Sequence, residues 1–198
     1  MPAMERRRDL DTTAPAPGDL ELVRSFLSVH DHVGDDPISL PPSHASLRDF
    51  FLERGFLSSG QQLSESDLET AFAVHRALHR RVEAGPGGAV TPAELSVIDE
   101  AARAARLELH FGSDGPPRIQ PTAPGLAGAL GRILAAAFLA ELDGSWDHLK
   151  VCGGETCTSV FYDRSKNHSG KWCSMQSCGN RNKVRAWRAR QRTGGPAA

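Results

Sequence analysis

The sequence predicts a mainly α fold, with a helical N-terminal domain that includes one small β-hairpin and a small C-terminal four-cysteine module of β-hairpin and helix. Apolar residues recur at helical spacing through most of the first 143 residues, between recognisable helix caps. All four cysteines lie in the last fifty residues, at positions 152, 157, 173 and 178. A run of Lys and Arg residues at helical spacing follows the last cysteine.

The N-terminal domain begins with two predicted helices. The first has Asp19 as its N-cap and one apolar face, formed by Leu22, Val23, Phe26, Leu27, His30 and Val33. After a proline-rich loop, Ser43 caps a second, short helix that ends at Gly55.

Three more helices and a hairpin complete this domain. A third helix starts at the capping pair Ser64 and Asp67 and ends at Gly85. The run Thr91-Pro92-Ala93-Glu94 starts a fourth helix, because it combines a capping threonine, a proline at the first helical position and a glutamate three residues after the cap. We expect this helix to turn Leu95, Ile98, Ala102, Ala105 and Leu109 inward. A hairpin is predicted from residues 107–111 and 118–120, and the last helix presents Leu126, Leu130, Ile133, Leu134, Ala137 and Phe138 inward.

These elements divide the chain into four segments. Residues 1–18 form a flexible arm, 19–143 the helical domain, 144–192 the cysteine module with its basic helix, and 193–198 a disordered tail. We expect the helical domain, up to about Leu142, to fold without the module.

The charge of the chain is divided between its two parts. The whole sequence has 23 Lys and Arg, 24 Asp and Glu, and a net charge of −1. From Lys150 onward there are ten basic and two acidic residues, a net charge of +8, while the rest has a net charge of −9. An acidic body with a basic tail indicates that the tail binds a polyanion.

The sequence predicts a cytoplasmic protein with no membrane segment. Residues 1–13 are polar and lack the apolar stretch of a signal peptide. The most apolar stretch, residues 125–142, is interrupted by Arg132 and Glu141, whereas a spanning helix needs roughly 18 apolar residues. Structural disulfides are disfavoured in the cytoplasm.

The cysteines form two C-x4-C pairs, Cys152 with Cys157 and Cys173 with Cys178, separated by fifteen residues. This pattern brings four thiolates together around one structural zinc ion per chain, while the long separation accommodates a hairpin. Buried or disulfide-linked cysteines and an iron–sulfur cluster are the alternatives. A catalytic zinc is not expected, because four protein ligands leave no position for water.

The segment after Cys178 predicts a basic helix for nucleic-acid binding. Helical projection places Arg181, Arg185, Arg188 and Arg192 on one face, with Lys183 and Arg190 on the far side. Val184 and Trp187 lie on a neighbouring face, where we expect them to pack on the metal site or the body. Such a helix can contact phosphates and enter a major groove, with Arg181 as first choice for reading a base. The alternative is a solvated basic tail.

Residues 172–183 carry a family resemblance. Trp172-Cys173-Ser174-Met175, Cys178-Gly179-Asn180-Arg181 and Lys183 resemble the bacterial CGNR zinc-finger family, as do the first cysteine pair, Val160-Phe161 and the turn at residues 163–167. In that family the finger follows a helical ABATE domain, to which residues 22–27 and 53–57 are similar. The resemblance implies DNA binding and stress-induced transcription regulation.

Three classes of function follow. The first is a transcription regulator that binds double-stranded DNA. The second is an RNA-binding protein, and the third is a protein-interaction module whose fold is stabilised by zinc. No enzyme is predicted, because His75 and His79 lack the glutamate of a zinc protease motif and the glycine-rich turns lack a phosphate-loop lysine. Homodimer formation, a small-molecule effector in the helical domain and the target sequence stay open.

Overall fold

The computed structural model of the protein describes residues 14–32, 39–57, 60–112 and 115–192, and their fold is mainly α, as predicted. The helices are α1 (Leu20–Leu27), α2 (His44–Glu53), α3 (Glu65–Ala84), α4 (Pro92–Ala105), α5 (Gly125–Asp143) and α6 (Asn180–Arg192). The strands are β1 (Asp31–His32), β2 (Ser39–Leu40), β3 (Leu107–His110), β4 (Arg118–Pro121), β5 (Leu149–Val151) and β6 (Val160–Tyr162). Residues 1–13 and 193–198, in the predicted arm and tail, lie outside the described residues.

The predicted caps set the helix starts. The Ser43 hydroxyl accepts from the backbone N–H of Ser46, and complete capping boxes form at Ser64 and Thr91. Asp19 occupies the predicted N-cap position of α1, but its side chain makes no capping bond. Because α1 ends at Leu27, the predicted continuation of its apolar face to His30 is wrong; Val33 lies outside the described residues.

Helix α5 is the centre of the core and packs against α1, α3 and α4. The largest fully buried side chains are Phe26, Leu27, Leu47, Phe51, Val74, Leu130, Ile133, Val23 and Val160. Three residues predicted to face inward are instead exposed by 44%, 69% and 51%: Leu95, Leu109 and Phe138. Helix α4 ends before Arg106, whose φ of 50° is left-handed, so Leu109 belongs to a strand and not to the buried helix face.

By length and apolar composition, α5 qualifies as a candidate membrane span. In this fold, however, 61% of its apolar window is buried inside the protein. That burial is typical of the core helix of a globular protein.

Three antiparallel strand pairs are described. The predicted hairpin pairs β3 with β4, in the register Leu107 opposite Pro121, and an unpredicted pair joins β1 to β2. The third pair, β5 with β6, follows a 3₁₀ turn at Ser145–His148, and its connecting loop contains the first two cysteines. The module's hairpin was predicted between Cys157 and Cys173, and that position is wrong because β6 pairs with a strand that precedes Cys152.

The hydrophobic core runs across the boundary between the helical domain and the cysteine module. Trp146, Leu149 and Val160 are buried in the same cluster as the body's helices. Ser28 donates to the carbonyl of Val160 at 2.8 Å, and His79 Nε2 lies 2.9 Å from the carbonyl oxygen of Thr158. The body therefore fixes the strand pair that supports the cysteines.

Candidate metal centre and nucleic-acid interface

The four cysteines are held by two turns that face each other. Cys152 follows β5 and donates its N–H to the Ser159 carbonyl at 2.9 Å, while the Cys157 N–H closes a tight turn onto Gly154. Cys173 and Cys178 lie on either side of the start of a π-helical turn, Met175–Gly179. A bond of 2.8 Å from the Gly153 N–H to the Lys171 carbonyl joins the two turns.

The sulfur atoms have the spacing of a closed metal site. All four lie within 4.8 Å of one another, with 3.8 Å between Cys157 and Cys173 and 3.6 Å between Cys173 and Cys178. A tetrahedron with zinc–sulfur bonds of about 2.3 Å has edges of about 3.8 Å. All four cysteines are free thiols and none forms a disulfide. The donor set therefore fits one zinc-sized cation.

Hydrogen bonds between the neighbouring cysteines shift their pKa values in opposite directions. Hydrogen bonds with Cys152 and Cys173 lower the pKa of Cys157 below its usual range. The bond to Cys157 in turn raises the pKa of Cys152 to about 11. The lowered pKa favours the thiolate of Cys157, which is the form in which cysteine binds metal.

Two glycines that follow cysteines in the sequence, Gly153 and Gly179, lie against the Trp172 ring. A Cβ at Gly179 would come within 2.9 Å of Met175 Sδ and 3.4 Å of the Trp172 ring. A Cβ at Gly153 would lie 3.1 Å from the Lys171 carbonyl oxygen and 3.3 Å from the same ring. A side chain at Gly153 would therefore crowd the Lys171 carbonyl and the indole, and one at Gly179 would displace the Met175 side chain.

The residues after Cys178 join the metal site to α6. Asn182 donates its amide to the Cys178 carbonyl at 2.9 Å, and Asn180 donates to the Gln176 carbonyl at 3.1 Å. The guanidinium of Arg181 donates to Cys178 Sγ at 2.9 Å. Arg181, the predicted base reader, thus has one nitrogen bound at the metal site.

Asp163 organises the turn between β6 and Cys173, a role that the sequence reading missed. Its carboxylate is 3% exposed and accepts from Lys150 at 2.6 Å, from the Ser165 N–H at 2.9 Å and from the Gly170 N–H at 2.8 Å. Burial raises its pKa, but the bonds from Lys150, Ser165 and Gly170 hold that pKa well below its usual range. One signal was available, since Asp163 is one of only two acidic residues after Lys150.

The predicted basic helix forms, and its arginines line a surface groove. This groove is a shallow, open depression along α6, and it is lined by Arg181, Arg185, Arg188, Arg192, Val184, Trp187 and neighbouring polar residues. Arg185 forms an exposed ion pair with Glu155, in the turn between the first two cysteines. Lys183 and Arg190 are exposed and do not line the groove.

The predicted packing of Val184 and Trp187 is wrong. Their side chains are 47% and 56% exposed, and no residue of α6 is buried. The contacts at the start of α6 run through the π-helical turn and Arg181, so the rest of the helix extends past the metal site. The apolar strip is left on the surface beside the arginines.

His75 and His79 are not among the four candidate metal ligands, although His79 contacts the carbonyl of Thr158 beside Cys157. His75 is 5% exposed in the core, and the two rings stack with centroids 6.0 Å apart, as expected for core and boundary histidines.

Two sequence families match the chain in the order of these parts. Residues 148–191 match the CGNR zinc finger, and residues 19–145 match the ABATE family, described as "putative stress-induced transcription regulator". The chain belongs to the ABATE family. Among curated proteins, none matches it significantly. The two matches meet within the 3₁₀ turn at residues 145–148, and the zinc-finger match includes all four cysteines and nearly all of α6.

Proposed function

We propose that this ABATE protein is a DNA-binding transcription regulator of the bacterial cytoplasm. One structural zinc ion per chain, held by Cys152, Cys157, Cys173 and Cys178, would hold the start of α6 in place. The exposed arginine groove directly beside the metal centre is the observation that carries this proposal. The proposed role is not enzymatic, because four thiolate ligands would leave no coordination position on the zinc for a substrate.

The dimensions and charge of α6 suit double-stranded DNA. Thirteen helical residues extend about 20 Å at 1.5 Å per residue, and the major groove is about 12 Å wide. The segment from Lys150 carries a net charge of +8, whereas the rest of the chain carries −9. Repulsion between the acidic body and phosphates favours a complex in which only the module touches the duplex.

The residues of α6 have different expected roles. Arg188 and Arg192, exposed far from the metal site, are the principal phosphate contacts, with Lys183 and Arg190 contributing less from the far side. Arg185 joins them when its ion pair with Glu155 opens. The exposed Val184 and Trp187 offer apolar contact to a thymine methyl group.

A salt series tests this proposal. Mobility shifts of a duplex library at several salt concentrations measure the slope of log affinity against log salt, which is negative. Arg188→Ala should make this slope shallower by about 0.9, because one phosphate contact is lost. The matched control Lys183→Ala, on the far side of the same helix, should lose less affinity. If the two variants lose equal affinity, α6 does not dock through the groove.

RNA is the second candidate, because an exposed indole beside arginines can stack on an unpaired base. Tighter binding to single-stranded RNA than to a DNA duplex of equal length would favour it. Partner capture that survives nuclease treatment would instead indicate a protein-interaction module. Chromatin immunoprecipitation with sequencing would identify the target sites, and the size of the bound complex would decide between monomer and homodimer.

A further inference from the structure

Arg181 makes a contact that a nucleic-acid-binding residue would not need. Its guanidinium Nη2 lies 2.9 Å from Cys178 Sγ, the sulfur of a cysteine that is only 2% exposed. Arg181 itself is half-buried, whereas every later residue of α6 from position 183 onward is exposed. The side chain therefore reaches back to Cys178 from the end of the groove that lies nearest the cysteines.

The other described hydrogen bonds to these sulfurs involve neutral groups. The Cys173 N–H donates to Cys152 Sγ at 3.4 Å, and the Ser159 hydroxyl lies 3.4 Å from Cys157 Sγ. Arg181 brings a full positive charge, and its electrostatic interaction extends to Cys157 and Cys173 as well. Four thiolates around one divalent cation have a net charge of −2, which is costly in a half-buried site.

We propose that Arg181 is a positioning residue of the metal centre, whose charge compensates the thiolates and raises their affinity for zinc. A cation donating to a ligand atom favours the deprotonated ligand and fixes its orientation. Because Arg181 is also the second residue of α6, the same contact links the direction of that helix to the metal centre. This role does not depend on DNA binding.

Three variants of the full chain separate charge from hydrogen bonding. Arg181→Gln keeps a donor and removes the charge, whereas Arg181→Lys keeps the charge and loses the planar fork. The matched control is Arg188→Gln, which removes one arginine from the same groove, two turns further from the sulfurs. Circular dichroism at saturating zinc checks that each variant forms its helices.

The primary measurement is zinc affinity, by competition with a chromophoric chelator in the absence of nucleic acid. Loss of an outer-shell partner typically weakens metal binding by about 10- to 100-fold, and we expect that loss for Arg181→Gln. Arg181→Lys should stay close to wild type, and Arg188→Gln should match it. The proposal is overturned if Arg181→Gln binds zinc as tightly as wild type, or if either other variant loses as much affinity as Arg181→Gln.

A spectroscopic measurement reads the contact directly. In the cobalt-loaded protein, absorption bands arise from transfer of an electron from sulfur to cobalt. A cation at Cys178 Sγ stabilises the sulfur electrons, so its removal should shift these bands to lower energy in Arg181→Gln but not in Arg188→Gln. Unshifted bands in Arg181→Gln would also overturn the proposal, while a failure of DNA binding in any variant would bear only on the proposed regulator function.

Discussion

The buried imidazole of His75 in α3 should make the stability of the fold depend on pH. Its ring lies edge-on to Phe26, with centroids 5.2 Å apart, and its Nε2 atom has no hydrogen-bond partner among the described residues. Burial, together with the nearby His79, lowers the pKa of His75 from 6.5 to about 3. His75 therefore stays neutral in the folded protein throughout the physiological range.

The sign of the effect follows from where the proton binds. Below pH 6.5 the unfolded chain takes up a proton at His75, whereas the folded chain does not until about pH 3. The free energy of unfolding therefore falls as the pH falls through this range. Each pH unit below 6.5 costs about 1.4 kcal/mol, so the step from pH 7 to pH 5 removes about 2 kcal/mol.

Urea unfolding of zinc-saturated wild type and His75→Phe at both pH values measures this loss. Tryptophan fluorescence reports it, because Trp146 is buried in the core. Phenylalanine keeps a ring against Phe26 and cannot titrate, so the variant should lose about 2 kcal/mol less than wild type between pH 7 and pH 5. Proton uptake by the cysteines is common to both chains and cancels in this difference. Equal losses in the two chains would refute the argument.

Three further predictions concern the module. Asp163→Ala should destabilise the zinc-loaded protein by about 3 kcal/mol in urea unfolding, because Lys150 and two N–H groups lose a buried acceptor; a loss below 1 kcal/mol would contradict this. Because Trp146 is buried in the same core as the helices, we expect a chain truncated after Leu142 not to fold independently, in contrast to the prediction from the sequence alone. It should show a broad thermal transition and bind a hydrophobic dye, unlike the full chain, whereas a sharp transition would support independent folding. Glu155→Gln releases Arg185 from an exposed ion pair that contributes at most about 1 kcal/mol. The variant should therefore bind a DNA duplex up to about fivefold more tightly, and an unchanged mobility shift would show that Arg185 does not contact DNA.

The sequence alone predicted the structure correctly wherever a short local pattern is compatible with only one conformation. Capping boxes at Ser64 and Thr91 start helices because each satisfies backbone N–H groups within four residues. Two short cysteine loops predict one metal centre, because a closed site needs four sulfurs converging on one point. The basic stripe of α6 follows from helical periodicity alone. The CGNR resemblance, read from the same residues, agrees with the family matches.

What the sequence could not decide depended on contacts between distant residues. Helical projection predicts which residues of α4, α5 and α6 share a face, but it does not predict which neighbouring element covers that face. Only the packing of the helices showed that Leu95, Phe138 and Trp187 are exposed. The burial of Val160 beneath α1 joins residues more than 130 positions apart. That contact makes the cysteine module part of the body's core, although the composition of the chain changes sharply between them. Likewise, the sequence singled out Arg181 as a base-reading residue, and only the fold showed that its guanidinium donates to Cys178.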